Sequence, residues 1–307
     1  MPKKRVFISS TGRTGTQFFA KYLNVMIEKS VSLHEPGTPW FSKPKQLLGQ
    51  IRDYGVIHLS FGQGSNKSCM YKLSRDFIAG KITKQSACDN ILKMNNKVDA
   101  LYAKDAEVVV YSSGHIYGLL GLIDEIYEDS RFVFILRDPR TWIGSALYKV
   151  EYSLYGPIEW FYRKISLQPS CYQSDPYLAQ WHSMSKFEKY CWFYNKLNEI
   201  VLTEMQDKPN FKVFRYEDVF LAEDKAVHFK ELLDFATDFS TDAPEYTFQA
   251  ALIDNKVDSK QQQSRSTWED WSPKKAQIMM KHCGKIMQAY GYGEEEAWKE
   301  KLKTVTV

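Results

Sequence analysis

Two stretches of the chain carry residues that could hold phosphate. The first is Val6–Phe18, VFISSTGRTGTQF. Val6, Phe7 and Ile8 read as a short buried strand. Ser9–Gly15 gathers small, turn-forming residues around Arg13. From Thr14 a helical spacing begins, with Phe18, Phe19, Tyr22, Leu23, Met26 and Ile27 at steps of three and four. Strand, glycine turn and helix N-terminus form the layout of an anion site, because the free N–H groups of the first helical turn and the helix dipole favour negative charge. Gly12 and Gly15 allow close approach of backbone, Thr14 and Thr16 add hydroxyls, and Arg13 adds a permanent charge. A lone Gly-x-x-Gly equally fits an ordinary strand-to-helix turn. The second stretch pairs Arg137, at the end of the apolar run Arg131–Leu136, with Ser145 about two helical turns further on. Guanidinium and hydroxyl could clamp one phosphate. Helix capping by Arg137-Asp138 and an incidental serine would explain the same residues.

The elements that must position these groups are legible as apolar runs. Buried strands are expected at Val6–Ile8, Val31–Leu33, Glu107–Ser112, Arg131–Leu136 and Phe211–Phe214, with a further strand at Val56–Leu59. Helices are expected over 116–128, from Pro139 to Lys149, and over 185–205, 224–237, 273–290 and 294–303, with one or two surface helices in 70–105. Residues 36–66, with three prolines and several glycines, read as an ordered excursion with little regular structure. Residues 150–184 read as an aromatic wall or lid, and 254–267 as a polar segment. Strands alternating with helices predict an α/β fold, a three-layer sandwich about a central parallel sheet, in one domain spanning 1–307 with insertions near 36–66 and 150–184. Ligands of such sheets gather beyond the carboxyl ends of the strands. Thr11–Thr16, His34-Glu35, Ser112–His115, Arg137–Arg140 and Arg215–Asp218 all fall at such ends.

Composition narrows the classes. The 307 residues are 44% hydrophobic and carry a net charge of +4, which suits anionic ligands but is not a nucleic-acid-binding balance. No apolar stretch reaches membrane-spanning length, and MPKKR leads directly into a strand, so no membrane association and a cytoplasmic location are expected. Five scattered cysteines read as free thiols. The histidines show no paired spacing, so no metal site is expected. The Gly-Lys-[Ser/Thr] end of a triphosphate-binding loop is missing, which argues against a kinase.

In the order and spacing of these landmarks the chain resembles the sulfotransferases that use 3′-phosphoadenosine 5′-phosphosulfate. That family has a phosphosulfate loop shaped like TGRTGT after its first strand. It also has an Arg and a Ser spaced as Arg137 and Ser145, and a Tyr-Glu-Asp sequence like that of FRYEDV at 214–219. The Trp268–Tyr292 segment resembles the family's tail. The resemblance implies that Arg13, Thr14, Gly15, Thr16 and Gln17 cradle the 5′-phosphate and that Arg137 and Ser145 bind the 3′-phosphate. It places Phe18 and Tyr216 against the adenine, and Lys260 or Arg265 over the 3′-phosphate. Spacing of Phe18 on the apolar helix face also fits a core residue.

The family's catalytic positions match two residues here. His115 precedes Arg137 by the separation seen in cytosolic members, and Glu35, in HEP, stands in the Glu-Pro context of heparan and tyrosyl members. Either could be the base, with the other orienting the acceptor; His34 and His58 are lesser candidates. Arg13 would stabilise charge at the bond that breaks, and Ser112, Ser113 and the aromatic wall would meet the acceptor. The resemblance implies sulfuryl transfer from that donor, without a metal, to a hydroxyl or amine of a small molecule. A secondary metabolite is expected, with a saxitoxin-like alkaloid as one guess. A carbohydrate acceptor and an inactive nucleotide-binding scaffold are the alternatives.

Overall fold

The structure, a computed structural model, describes residues 3–41, 43–62, 64–147, 167–172, 174–255 and 267–303, with backbone alone at 61–62. β1 (Lys4–Ser10) leads to α1 (Thr16–Met26) and β2 (Ser30–His34). Three helices, α2 (Pro44–Tyr54), α3 (Met70–Ile78) and α4 (Lys84–Tyr102), precede β3 (Val108–Ser113). Next come α5 (Leu120–Ile126), β4 (Ser130–Leu136), α6 (Pro139–Ala146) and α7 (Lys186–Met205). β5 (Phe211–Arg215), α8 (Tyr216–Phe220) and α9 (Lys225–Thr237) follow, and α10 (Pro273–Ala289) and α11 (Glu296–Lys303) come last.

By contacts the chain divides into two compact units. One is Met1–Leu136 with Ile200–Asp258; the other is Arg137–Glu199 with Ser259–Val307. The first unit holds a five-stranded sheet in the order β2-β3-β1-β4-β5, every pair parallel. Alternation along the strands covers both faces. Val6, Ile8, Val108, Val110, Val133 and Ile135 pack on one side with Phe18, Phe19 and Leu23 of α1 and Phe229, Leu232 and Leu233 of α9. Phe7 points to the other face and stacks between Tyr111 and Phe132. There Arg5 ties the sheet to α4 through Asp99, at 2.6 Å. The expected parallel α/β sandwich is the observed one.

The second unit packs Trp142 of α6 against Tyr190, Phe193 and Tyr194 of α7. Arg140, 2% exposed, bonds both Asp138 and Glu295 and lies beneath Trp268 and Trp298. This holds the start of α6 to the C-terminal segment. No helix among the described residues is long and apolar enough to cross a membrane.

Two expectations fail between β2 and β3. The 36–66 excursion contains α2, whose first turn takes Pro44 and whose end is Gly55 at φ 87°. The proline and glycine that suggested a loop are the helix's start and stop. Val56–Leu59 is part of a 3₁₀ turn, Val56–Gly62, not a strand. Val56 and Ile57 are exposed there while His58 is buried, the reverse of what a strand would require.

Candidate active site

Parallel pairing sets the site. Register places His34 beside Ser112 and Ser9 beside Ser113, so the carboxyl ends of β2, β3 and β1 lie together. Beyond β1 the chain takes left-handed conformations at Gly12 (φ 76°), Arg13 (φ 57°) and Gly15 (φ 84°). Such turns gather backbone N–H groups into an anion-binding concavity. Gly15 is the N-cap of α1, so the helix begins at Thr16, two residues later than its spacing suggests. A Cβ on Gly15 would stand 3.0 Å from the Phe220 ring, which closes the loop from α8. Ser10 Oγ accepts the Gly12 N–H at 3.0 Å. The hydroxyls of Ser9 and Thr14 are buried and have no hydrogen-bond partner among the described residues. Unsatisfied buried donors at the head of a helix fit an incoming phosphate oxygen.

The next strand ends bring the two base candidates together. The Glu35 N–H continues the β2–β3 ladder to the Ser112 carbonyl, and its side chain turns back with φ 44°. Glu35 Oε1 lies 3.5 Å from His115 Nε2 and accepts the Gly114 N–H at 3.3 Å. Gly114 in turn lies against the phosphate loop: a Cβ there would be 2.9 Å from Gly12 Cα. Tyr71 covers the His115 ring at a centroid distance of 4.2 Å. His34 stands on the other side of the carboxylate. Its Nε2 is 3.1 Å from Thr16 Oγ1 and its Nδ1 is 4.0 Å from Glu35 Oε2. Burial pushes the His34 pKa down, opposed by the Glu35 charge and aided by His115 and Lys43. His34 is therefore a neutral link between loop and carboxylate at pH 7.

Some expected residues stand elsewhere. Phe18 is 5% exposed, enclosed by Tyr22, Phe220 and Phe229, and belongs to the core cluster. Tyr216 packs on Phe220 at the edge of the same cluster. Ser112 is buried and donates to the Thr16 carbonyl, so its hydroxyl is not turned to an acceptor. Ser113 Oγ accepts the His115 N–H. His58 is fully buried against Ser68 and its ring stacks on Tyr54, away from the dyad. Gln17 lines a cavity of about 560 Å³ with Glu35, His34, Trp40 and Lys43.

Arg137 and Ser145 belong to the second unit. Arg137 Nε donates to Thr141 Oγ1 at 3.1 Å, and Ser145 lies one further turn along α6, 6% exposed. Thr141 thus stands between the two on one helix face, a contribution that the Arg–Ser spacing alone did not signal. Lys260 and Arg265 lie outside the described residues, as does most of the expected wall at 150–184. Among the described residues no group of three or more His, Cys, Asp or Glu is placed to hold a metal ion.

No protein-family model and no curated protein matches the chain. Among solved structures it is similar to a sulfotransferase from Alicyclobacillus acidocaldarius. The identity is 13%, the match covers 97% of this chain and 100% of that one, and the TM-score is 0.45.

Proposed function

We propose that the protein transfers a sulfuryl group from 3′-phosphoadenosine 5′-phosphosulfate to a hydroxyl or amine of a small-molecule acceptor. One observation carries the reading: the backbone contact of Gly114 with Gly12 sets the Glu35–His115 dyad directly beside the anion loop. A base within reach of a phosphate cradle is what an in-line displacement at a phosphosulfate needs. In the reaction the acceptor oxygen or nitrogen bonds to sulfur while the bond from sulfur to the bridging phosphate oxygen breaks. The acceptor proton passes to His115, and the electron pair stays on the departing 5′-phosphate. Glu35 takes the Nε2–H side of the imidazole and leaves Nδ1 to receive the proton. Arg13 and the buried hydroxyls of Ser9 and Thr14 offset charge on the phosphate. Arg137, Thr141 and Ser145 are the group assigned to the 3′-phosphate, with Gln17 at the cavity wall. The chain's own residues supply acid–base and electrostatic roles without a metal in this scheme.

The test is transfer of radiolabelled sulfate from the donor to a panel of hydroxylated acceptors, with Arg13→Ala alongside the native protein. Loss of one preorganised donor to a developing anion costs about 10²–10³ in turnover. Equal transfer by both proteins would sink the role given to Arg13, and no transfer to any acceptor by the native protein would favour the inactive scaffold.

A further inference from the structure

The cavity beside Glu35 has a charge pattern that sulfuryl transfer alone does not require. Its walls come from α1, β2, the chain after Glu35, α2 and Tyr102, all within the first unit. Its volume of about 560 Å³ suits a ligand of one or two rings. Two carboxylates line it, and both are engaged. Glu35 faces His115 and the Gly114 N–H. Asp53 pairs with Arg52 at 2.9 Å and accepts from Tyr102 at 2.9 Å, and these bonds hold its carboxyl below the ordinary range.

The two lysines of the cavity, both exposed to solvent, are not matched in this way. Lys43 lies over the Trp40 ring at 4.6 Å and Lys21 over the Tyr22 ring at 4.8 Å. Neither has a carboxylate within ion-pair distance among the described residues. Trp40 also buries its indole N–H without a partner among the described residues. Gln50 is already used, by the Trp40 N–H and the Thr38 carbonyl. The cavity therefore presents two solvent-exposed ammonium groups without a carboxylate partner among the described residues, an aromatic platform with a spare donor, and the Glu35 carboxylate of the dyad on one wall.

On the reading of this site as a sulfuryl-transfer centre, we propose that the cavity is the acceptor site and that it takes an anionic, hydroxyl-bearing acceptor. A carboxylate or existing sulfate is held by Lys21 and Lys43, a ring lies against Trp40, and the reacting hydroxyl meets the dyad from its Glu35 side, the part that lines the cavity. An anion pairs with both ammonium groups, whereas a neutral acceptor leaves them to solvent. A cationic alkaloid, the acceptor class guessed from sequence, would meet two like charges.

The test compares three probes by calorimetry: para-nitrophenyl glucuronide, its neutral glucoside, and a cationic aminoglucoside. Each is titrated with and without saturating 3′-phosphoadenosine 5′-phosphate. The glucuronide should bind tighter than the glucoside by roughly tenfold or more, as expected for charge-assisted hydrogen bonds. High salt should shrink the preference. The Lys21→Gln/Lys43→Gln double variant should abolish it while nucleotide affinity stays unchanged. Equal binding of glucuronide and glucoside, tightest binding of the aminoglucoside, or no glucuronide binding at millimolar concentration overturns the proposal. Failure of the nucleotide titration alone counts against sulfuryl transfer instead, since the probe ratio without nucleotide reports on the cavity by itself.

Discussion

Glu35 and His115 are read from the sequence as rival bases, and the structure makes them neighbours at 3.5 Å. Neither residue's sequence context could show this, because the contact depends on the β2–β3 register and on a turn at Gly114. Arg13 and Glu35 are also two of four non-glycine residues with positive φ among the described residues. Such conformations cost on the order of 1–3 kcal/mol each and persist where surrounding structure holds them, often at functional sites. If the pair acts as one unit, Glu35→Gln and His115→Gln each lower turnover by about 10²–10⁴. The double variant then loses little more than the worse single one, because residues acting together are non-additive. Steady-state kinetics of the three variants checks this, and simple addition of the two losses would contradict it. His58 gives a separate, structural prediction. Burial, with Lys97 nearby, pushes its pKa down to about 4. The unfolded chain takes the same proton near about 6.5. This histidine's contribution to stability is thus complete above about pH 6.5, falls as pH drops towards about 4, and is constant below. Denaturant midpoints should decline across that window. His58→Gln should show about one proton less of slope there, and an unchanged slope would rule out the buried neutral histidine.

At the scale of elements, the strands and most helices were legible because their patterns are local. Val108–Val110 forms a continuous apolar run and is fully buried, and the long apolar-patterned stretch after Ser185 becomes α7. The helix α2 was hidden because Pro44 and Gly55 bound a short segment with almost no buried side chain. Phe18 was ambiguous for a related reason: steps of three and four mark a buried face and say nothing about which buried ring meets a ligand. In the structure Phe18 packs on Phe220 and Phe229 within the core. Gly114 carried no recognisable signal, since its need for a hydrogen in place of a side chain comes from a backbone distant in sequence. Gly114→Ala should force the loop away from Gly12, since both clashing atoms are backbone. The expected cost is about 1–3 kcal/mol of stability together with at least tenfold weaker nucleotide binding. Thermal unfolding and calorimetry on the same sample measure both, and native nucleotide affinity in this variant would show that the Gly12–Gly114 contact does not shape the loop.

At the scale of the whole molecule, the residues proposed to hold phosphate fall in two compact units. The loop, the dyad and the cavity lie in the first; Arg137, Thr141 and Ser145 lie in the second. The second unit is organised around buried Arg140, with Asp138 and Glu295 as partners and Trp268 and Trp298 against its guanidinium. Sequence reading registered Arg140 only as one of a polar group at a strand end. Its role depends on a segment that follows much later in the chain, which no local pattern reveals. The proposed ligand of this chain is one nucleotide with phosphates at both the 3′ and 5′ positions. Calorimetric titration with 3′-phosphoadenosine 5′-phosphate, without magnesium, tests it most directly. Binding should be saturable and weakened at least about tenfold by Arg137→Ala, as expected on losing charge-assisted bonds to a phosphate. No binding at millimolar nucleotide, or equal affinity for adenosine 5′-phosphate lacking the 3′ group, would contradict it.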